Sequence, residues 1–317
     1  MTTNSGTPQP DPEDTPSTSD EPRLNTGDEL ASHSGEARLG GWGPWGDGVR
    51  LAVGTLSVVP APMPRVVDRT VAGKAMVLAP LVGLLLGAIA AAVVAGVHAL
   101  QPGAPLLAAV LGVVVLVMLS GGLHLDGLAD TADGLGSRRD RETMLRIMKQ
   151  SDIGPFGVVS IVAVLLIDVA ALTACIQSGF GWQAILIATV ASRLTLPWSC
   201  RTTVPSARPD GLGAMVASTV PTLAALITTT LTLAAVTLTA YADRTPAGLI
   251  EHTTGVASAP IGAHLLGAAL ALVVAIALGL LMIRKARAAF GGITGDTLGA
   301  TVELALAAAL LTLALTS

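Results

Sequence analysis

Seven long apolar runs constrain this chain more than any other feature. They fall at about 76–99, 104–122, 154–175, 183–200, 219–241, 262–283 and 298–316. Each approaches or exceeds the ~18 residues needed to cross a ~30 Å hydrocarbon core. Inside lipid a backbone must satisfy its own hydrogen bonds, so runs of this length fold as helices. The pattern predicts an all-α, polytopic membrane bundle of about seven spans. Charged residues make up 13% of the chain, well below the ~25% of soluble domains. Aromatics are 3%, which leaves a core of Ala, Leu, Val and Gly, whose small side chains let helices approach closely. The shorter apolar segment 49–60 reads as an interfacial or re-entrant piece.

The remaining polar sequence is unevenly distributed. Residues 1–40 hold eight acids and two bases, whereas the whole chain carries a net charge of −4. The acidity therefore belongs to the N-terminal tail, and the rest is slightly basic. Residues 1–48 are rich in Ser, Thr, Pro, Gly and acids. They read as a disordered acidic tail, leaving 49–317 as the membrane-embedded domain. No basic patch suits a nucleic-acid partner. Cys175 and Cys200 fall near opposite ends of neighbouring runs, too far apart for a disulfide, so two free thiols are expected.

Lys and Arg in the connections set the orientation. Arg65, Arg69 and Lys74 precede the first run. Arg138, Arg139, Arg141, Arg146 and Lys149 follow the second, Arg201 and Arg208 the fourth, and Arg284, Lys285 and Arg287 the sixth. Threading seven spans puts all of these on one side and leaves Arg244 on the other. The positive-inside rule makes the basic side, and the N-terminus, cytoplasmic. The same connections contain the Gly- and Asp-rich sequences, so the working face is expected there.

The richest stretch is GGLHLDGLADTADGLGS, residues 121–137. On a helix Asp126, Asp130 and Asp133 stand at about 0°, 40° and −20°, on one face. Three carboxylates at the end of a span repel one another and are costly to bury unpaired. A divalent cation resolves the conflict, and oxygen-only ligands favour Mg²⁺ or Mn²⁺. Gly127 and Gly134 leave room for a bulky anion near the backbone. His124 is a candidate base. The plain structural alternative is an acidic helix start, with Asp126 as a cap.

Three further segments carry polar groups. In RRDRETMLRIMKQSDIGPFG, residues 138–157, bases alternate with apolar residues as in an interfacial helix. There Lys149 and Ser151 precede a Gly that opens the next span, an arrangement suited to anions. Arg193 lies inside an apolar run, where an ionisable residue marks a functional site unless it snorkels to the interface. Asp296, in GGITGDTLGA (291–300), is either the cap of the last span or a fourth carboxylate. Asp168, Glu303, His98 and His264 are read as structural.

Clustered acids, bases on the same side and a buried Arg suit phosphoryl-group transfer, where metal ions and bases offset developing charge. No Walker A motif, Cys/His metal cluster or Gly-x-Ser-x-Gly elbow is present. The alternatives are a CDP-alcohol phosphotransferase-like enzyme and, from a different class, an ion-coupled transporter.

The blocks GGLHLDGLADTADGLGS, IMKQSDIGPFG and GGITGDTLGA, in that order among apolar spans, resemble the cobalamin synthase family, the adenosylcobinamide-GDP ribazoletransferases. The resemblance runs from about residue 50 to the C-terminus. It takes in SVVPAPMP and APLVGLLLG near its start and departs from the family at Asp152, where a basic residue is expected. It implies Mg²⁺-dependent reaction of adenosylcobinamide-GDP with α-ribazole, or its 5′-phosphate, to give adenosylcobalamin, or its 5′-phosphate, and GMP. On this reading Asp126, Asp130 and Asp133 hold Mg²⁺, and Asp296 or His124 accepts the hydroxyl proton. Lys149, Arg193 and Arg208 neutralise phosphates. Partners are the two substrates and the bilayer, with room for self-association or contact with other cobalamin-assembly enzymes.

Overall fold

The computed structural model describes residues 1–3, 43–242 and 261–317. Most of the acidic tail and Arg244 lie outside them. The body, Trp42–Ser317, has helices and no strands among its described residues, with turns and loops between them. The helices are α1 (Gly43–Leu56), α2 (Arg69–Val77), α3 (Ala79–Leu100), α4 (Pro105–Leu119), α5 (Leu123–Gly136), α6 (Arg141–Ile147), α7 (Pro155–Gln177), α8 (Gly181–Ser199), α9 (Gly211–Val216), α10 (Thr222–Ala242), α11 (Ile261–Phe290) and α12 (Gly295–Thr316).

Each of the seven predicted runs is a helix. Among the described residues, five helices (α3, α7, α10, α11 and α12) are long and apolar enough to cross a membrane alone. They carry a lipid-like exterior, with Leu84 and Leu85 on α3, Val159 and Leu166 on α7, Leu226 and Leu231 on α10, and Leu266 and Val273 on α11 all exposed. The helix α4 is shorter, and α5 leaves it at an angle of 86°. The cause is local: Gly121 and Gly122 take φ of +64° and +70°, left-handed values that side chains resist. So α5 runs across the bundle instead of continuing the span.

The centre of the bundle is α8. It packs against α3, α7, α10, α11 and α12 and is buried along nearly its whole length. That explains why it is the least apolar of the seven: its Gln183, Thr189, Ser192, Arg193 and Thr195 face protein, not lipid. Its tightest partner is α3. There Gly83 and Gly87, four residues apart, let the helices meet closely; a Cβ on Gly83 would lie 2.8 Å from the Thr189 carbonyl oxygen. This is small-residue packing of the kind membrane helices use. Both cysteines are buried free thiols, as expected.

The first described helix, α1, starts at Gly43, inside the stretch read as tail, and buries Asp47 and Gly48. Asp47 accepts the Arg65 backbone N–H at 3.0 Å and pairs with Arg50 at 3.2 Å. Residues 49–56 of the apolar segment 49–60 form the C-terminal part of α1, which lies against α2.

Candidate active site at the mouth of the bundle

The polar stretches that are far apart in sequence meet at one end of the bundle. The loop after α8 is pinned to the turn before α12 by two backbone bonds, Ile293 N–H to Pro205 O and Ala207 N–H to Ile293 O, both 2.9 Å. Contact this close requires Gly292, since a Cβ there would stand 2.4 Å from the Pro205 carbonyl oxygen. Short α6 adds two ties. Arg141 donates to Ala207 O at 2.9 Å, and Arg208 donates to Leu145 O at 2.6 Å. Arg141 was not singled out from the sequence. Its signal was the unspent GG pair at 291–292, because its guanidinium packs over Gly291.

Four acids converge on this end. Three come from α5 and one from α12. The cap of α12 is Thr294, whose hydroxyl accepts from Thr297 N–H at 3.1 Å while the Thr297 hydroxyl accepts from Thr294 N–H at 2.8 Å. Asp296 is therefore not a cap. Its carboxylate lies 3.7 Å from the Arg208 guanidinium. Nor is Asp126 a cap, since the N-cap of α5 is Gly122, which precedes Leu123, and no side chain makes a capping bond there. Asp130 feels all the others. Burial first, then the charges of Asp126, Asp296 and Asp133, raise its pKa to about 7, with Arg208 opposing. Carboxylates gathered this closely are the kind of surroundings that favour a bound cation.

Asp133 has a different task. Its two oxygens accept the backbone N–H groups of Gly154 (2.7 Å) and Gly157 (2.9 Å) at the start of α7. A carboxylate there satisfies orphan donors and complements the helix dipole. The one-faced spacing on α5 is real, and on that face Asp133 is the acid whose two oxygens are engaged by backbone donors. Among the described residues no three acid, His or Cys side chains close on one point. Asp126 and Asp130 stand one turn apart, with Asp296 nearby. This oxygen-only set suits Mg²⁺, which commonly takes one or two carboxylates and completes its shell with water and substrate phosphates.

Beside these acids is a cavity of about 200 Å³, lined by Asp126, Asp130, Lys149, Gln150, Ser151 and Asp152 among others. Lys149 and Ser151 thus line the same cavity as Asp126 and Asp130, with Lys149 also 3.5 Å from Asp210.

Four predicted site residues stand elsewhere. Gly127 does not make room for a ligand, since a Cβ on it would meet the Asp296 backbone at 2.7 Å. It is the point where α5 crosses α12. Gly134 packs on Met148 in the same way. Arg193 is wholly buried, donating to Ser192 Oγ at 2.9 Å and lying 3.5 Å from His124 Nδ1. Glu303 and Asp168 are the acids close enough to act on its charge. His124 is 3% exposed and turns into this interior cluster, 3.9 Å from Glu303, away from the cavity. Arg193, His124 and Glu303 thus bring α5, α8 and α12 together in a buried polar cluster, away from the cavity that the expected phosphate and base roles would require them to face. Glu303, read as structural, belongs to this cluster, with Asp168 near it.

Comparison with known proteins agrees with this architecture. Residues 48–314 match the family model described as cobalamin-5-phosphate synthase. A Frankia casuarinae protein named adenosylcobinamide-GDP ribazoletransferase is 41% identical over 84% of this chain and 94% of its own length. Proteins of the same name from Nocardioides sp. and Pseudomonas paraeruginosa are each 38% identical. They cover 84% and 77% of this chain, and 97% and 87% of their own lengths. No solved structure matches. Conserved length, an α-helical membrane body and a carboxylate-lined mouth lead to one assignment: the chain belongs to the cobalamin-5-phosphate synthase family and is a transferase of cobalamin biosynthesis.

Proposed function

We propose that this chain transfers the adenosylcobinamide-phosphate group of adenosylcobinamide-GDP to α-ribazole, or its 5′-phosphate, releasing GMP. The observation that carries the reading is the meeting of Asp126, Asp130 and Asp296 with Arg208 beside a cavity walled by Lys149 and Ser151. Carboxylates facing bases across a polar cavity are what a pyrophosphate donor and a hydroxyl acceptor require.

In this mechanism Lys149 and Arg208 hold phosphate oxygens, and Ser151 donates a hydrogen bond to them. Asp296 accepts the proton of the attacking ribazole 3′-hydroxyl. A bond forms between that oxygen and the phosphorus next to the cobinamide arm, and the bond from that phosphorus to the GMP oxygen breaks. Asp126 and Asp130 are the residues that would hold Mg²⁺, which supplies charge neutralisation for the pyrophosphate when bound. We read this end, and the N-terminus, as cytoplasmic, a reading supported by the basic loops through the positive-inside rule.

The test is GMP release by the full chain in liposomes. GMP should appear from adenosylcobinamide-GDP only with both ribazole acceptor and Mg²⁺ present. Absence of GMP under those conditions rejects the proposal, and release of CMP from a CDP-alcohol would replace it with the phosphotransferase reading.

A further inference from the structure

A second cavity, larger than the acidic one, opens on the same end of the body. It encloses about 430 Å³ between α1, α2 and the start of α10, with Trp45, Arg69, Lys74, Ser218 and Thr219 in its wall. Its chemistry is opposite to that of the acidic cavity. Two cations line it and no carboxylate does. The nearby acids are engaged elsewhere: Asp68 caps α2 by accepting from Val71 N–H, and Asp47 holds Arg50 and the Arg65 backbone. Arg69 is fixed in place, donating to the carbonyls of Ala214 and Ala217. Lys74 has no ion-pair partner among the described residues. Its ammonium stands 5.3 Å from the centre of the Trp45 ring, and Trp45 itself is 49% exposed.

The position of the cavity is as informative as its charge. Its α2 wall ends at Val77 and passes through Leu78 directly into the span α3. Its other wall is the entry to the span α10, at Pro221 and Ala224. The groove is therefore at the level where two spans enter the apolar layer. Tryptophan and snorkelling bases are characteristic of that level. From the groove outward, the first turns of α10 expose Leu223, Leu226 and Ile227, an apolar path for acyl chains.

We propose that this groove binds the phosphate headgroup of an anionic phospholipid, held by Lys74 and Arg69 against Trp45, with its acyl chains along α10. Free phosphate has the same charge, but it has no use for an apolar path beginning at the groove.

The full chain in a zwitterionic detergent tests this. Its melting temperature is followed during titration with short-chain phosphatidylglycerol, short-chain phosphatidylcholine or inorganic phosphate. Phosphatidylglycerol should raise the melting temperature saturably, and the other two should not. Lys74→Gln should shift the phosphatidylglycerol midpoint about 5-fold upward, the weight of one base at an anionic surface, and Lys74→Arg should restore it. The substitution keeps the Cβ that packs on Gly48, so the lipid-free melting temperature should stay at the wild-type value and serve as the folding control. An equal response to phosphatidylcholine, or a Lys74→Gln titration matching wild type, overturns the headgroup site. A response to inorganic phosphate as strong as that to phosphatidylglycerol overturns the lipid as its occupant.

Discussion

Gly127→Ala is a small change with a large expected effect, because of what the methyl group would meet. A Cβ at this position stands 2.7 Å from the Asp296 carbonyl oxygen and 3.1 Å from its Cα. An ordinary carbon–oxygen contact needs about 3.3 Å, so α5 and α12 must separate by roughly 0.6 Å. The obstacle is main chain and cannot rotate away. Overpacking of this kind costs about 1–3 kcal/mol, less up to ~1 kcal/mol that Ala returns in helix propensity. The displacement falls on Asp296 itself and moves it from Asp126 and Asp130. Misplacement by ~1 Å can cost ~10²-fold in rate, so a loss of about 10-fold in GMP release is expected, with a melting temperature lower by a few degrees. Two controls separate this account from a general sensitivity to glycine loss. At Gly134 the new methyl meets the Met148 side chain at 2.8 Å, a flexible thioether that can move aside, so Gly134→Ala should cost less than ~1 kcal/mol. At Gly54 nothing lies within 4 Å, and Gly54→Ala should be neutral or stabilising. Wild-type stability and rate in Gly127→Ala would refute the reasoning, as would equal damage from all three. Weakened substrate affinity at unchanged stability would instead return Gly127 to the role of making room for an anion.

The acids of α5 should also separate by function. Asp130→Asn should lower the rate by roughly 10²-fold if Asp130 holds a catalytic metal, whereas Asp133→Asn should lower the melting temperature, at about 1 kcal/mol for a lost cap, and leave the Mg²⁺ midpoint of the rate unchanged; a shifted midpoint in Asp133→Asn would put it back among the ligands. Stability should depend on pH through Asp130, whose pKa rises from 3.8 to about 7 in the folded chain. The folded state then binds more protons than the unfolded state between those values, so this contribution is present at low pH and lost as pH rises through 7. Added Mg²⁺ should raise the melting temperature more at one pH unit above that value than at one unit below; an equal Mg²⁺ effect on both sides would exclude Asp130 from the cation site.

Much of this protein is legible along the chain because the bilayer imposes a one-dimensional rule. Helix length and apolarity must match the hydrocarbon core, so the seven runs could be read directly, and the ends of helices fell close to the expected positions. The all-α class, the free cysteines and the clustering of polar loops at one end follow from the same rule. The spacing of Asp126, Asp130 and Asp133 placed them on one face, because helical periodicity is local. The family blocks pointed to the family that local chemistry alone left open.

What each of those side chains does was decided in three dimensions. Periodicity gives a direction around a helix axis but not the neighbour met in that direction. Asp133 meets the free N–H groups of α7 and becomes a cap. Asp296 is released from capping because Thr294 and Thr297 satisfy each other. Gly127 and Gly134, read as space for a ligand, are filled by Asp296 and Met148, since an absent side chain is equally an invitation to protein. Arg193 and His124 looked like site residues because ionisable groups are rare in spans. Their burial on α8 and α5 between Glu303 and Asp168 makes them partners in the interior. The sequence alone determined that this chain spans the bilayer and gathers acids and bases at one end. Only tertiary packing decided which acids remain free to act, because that depends on which backbone donors and charges come from the other helices.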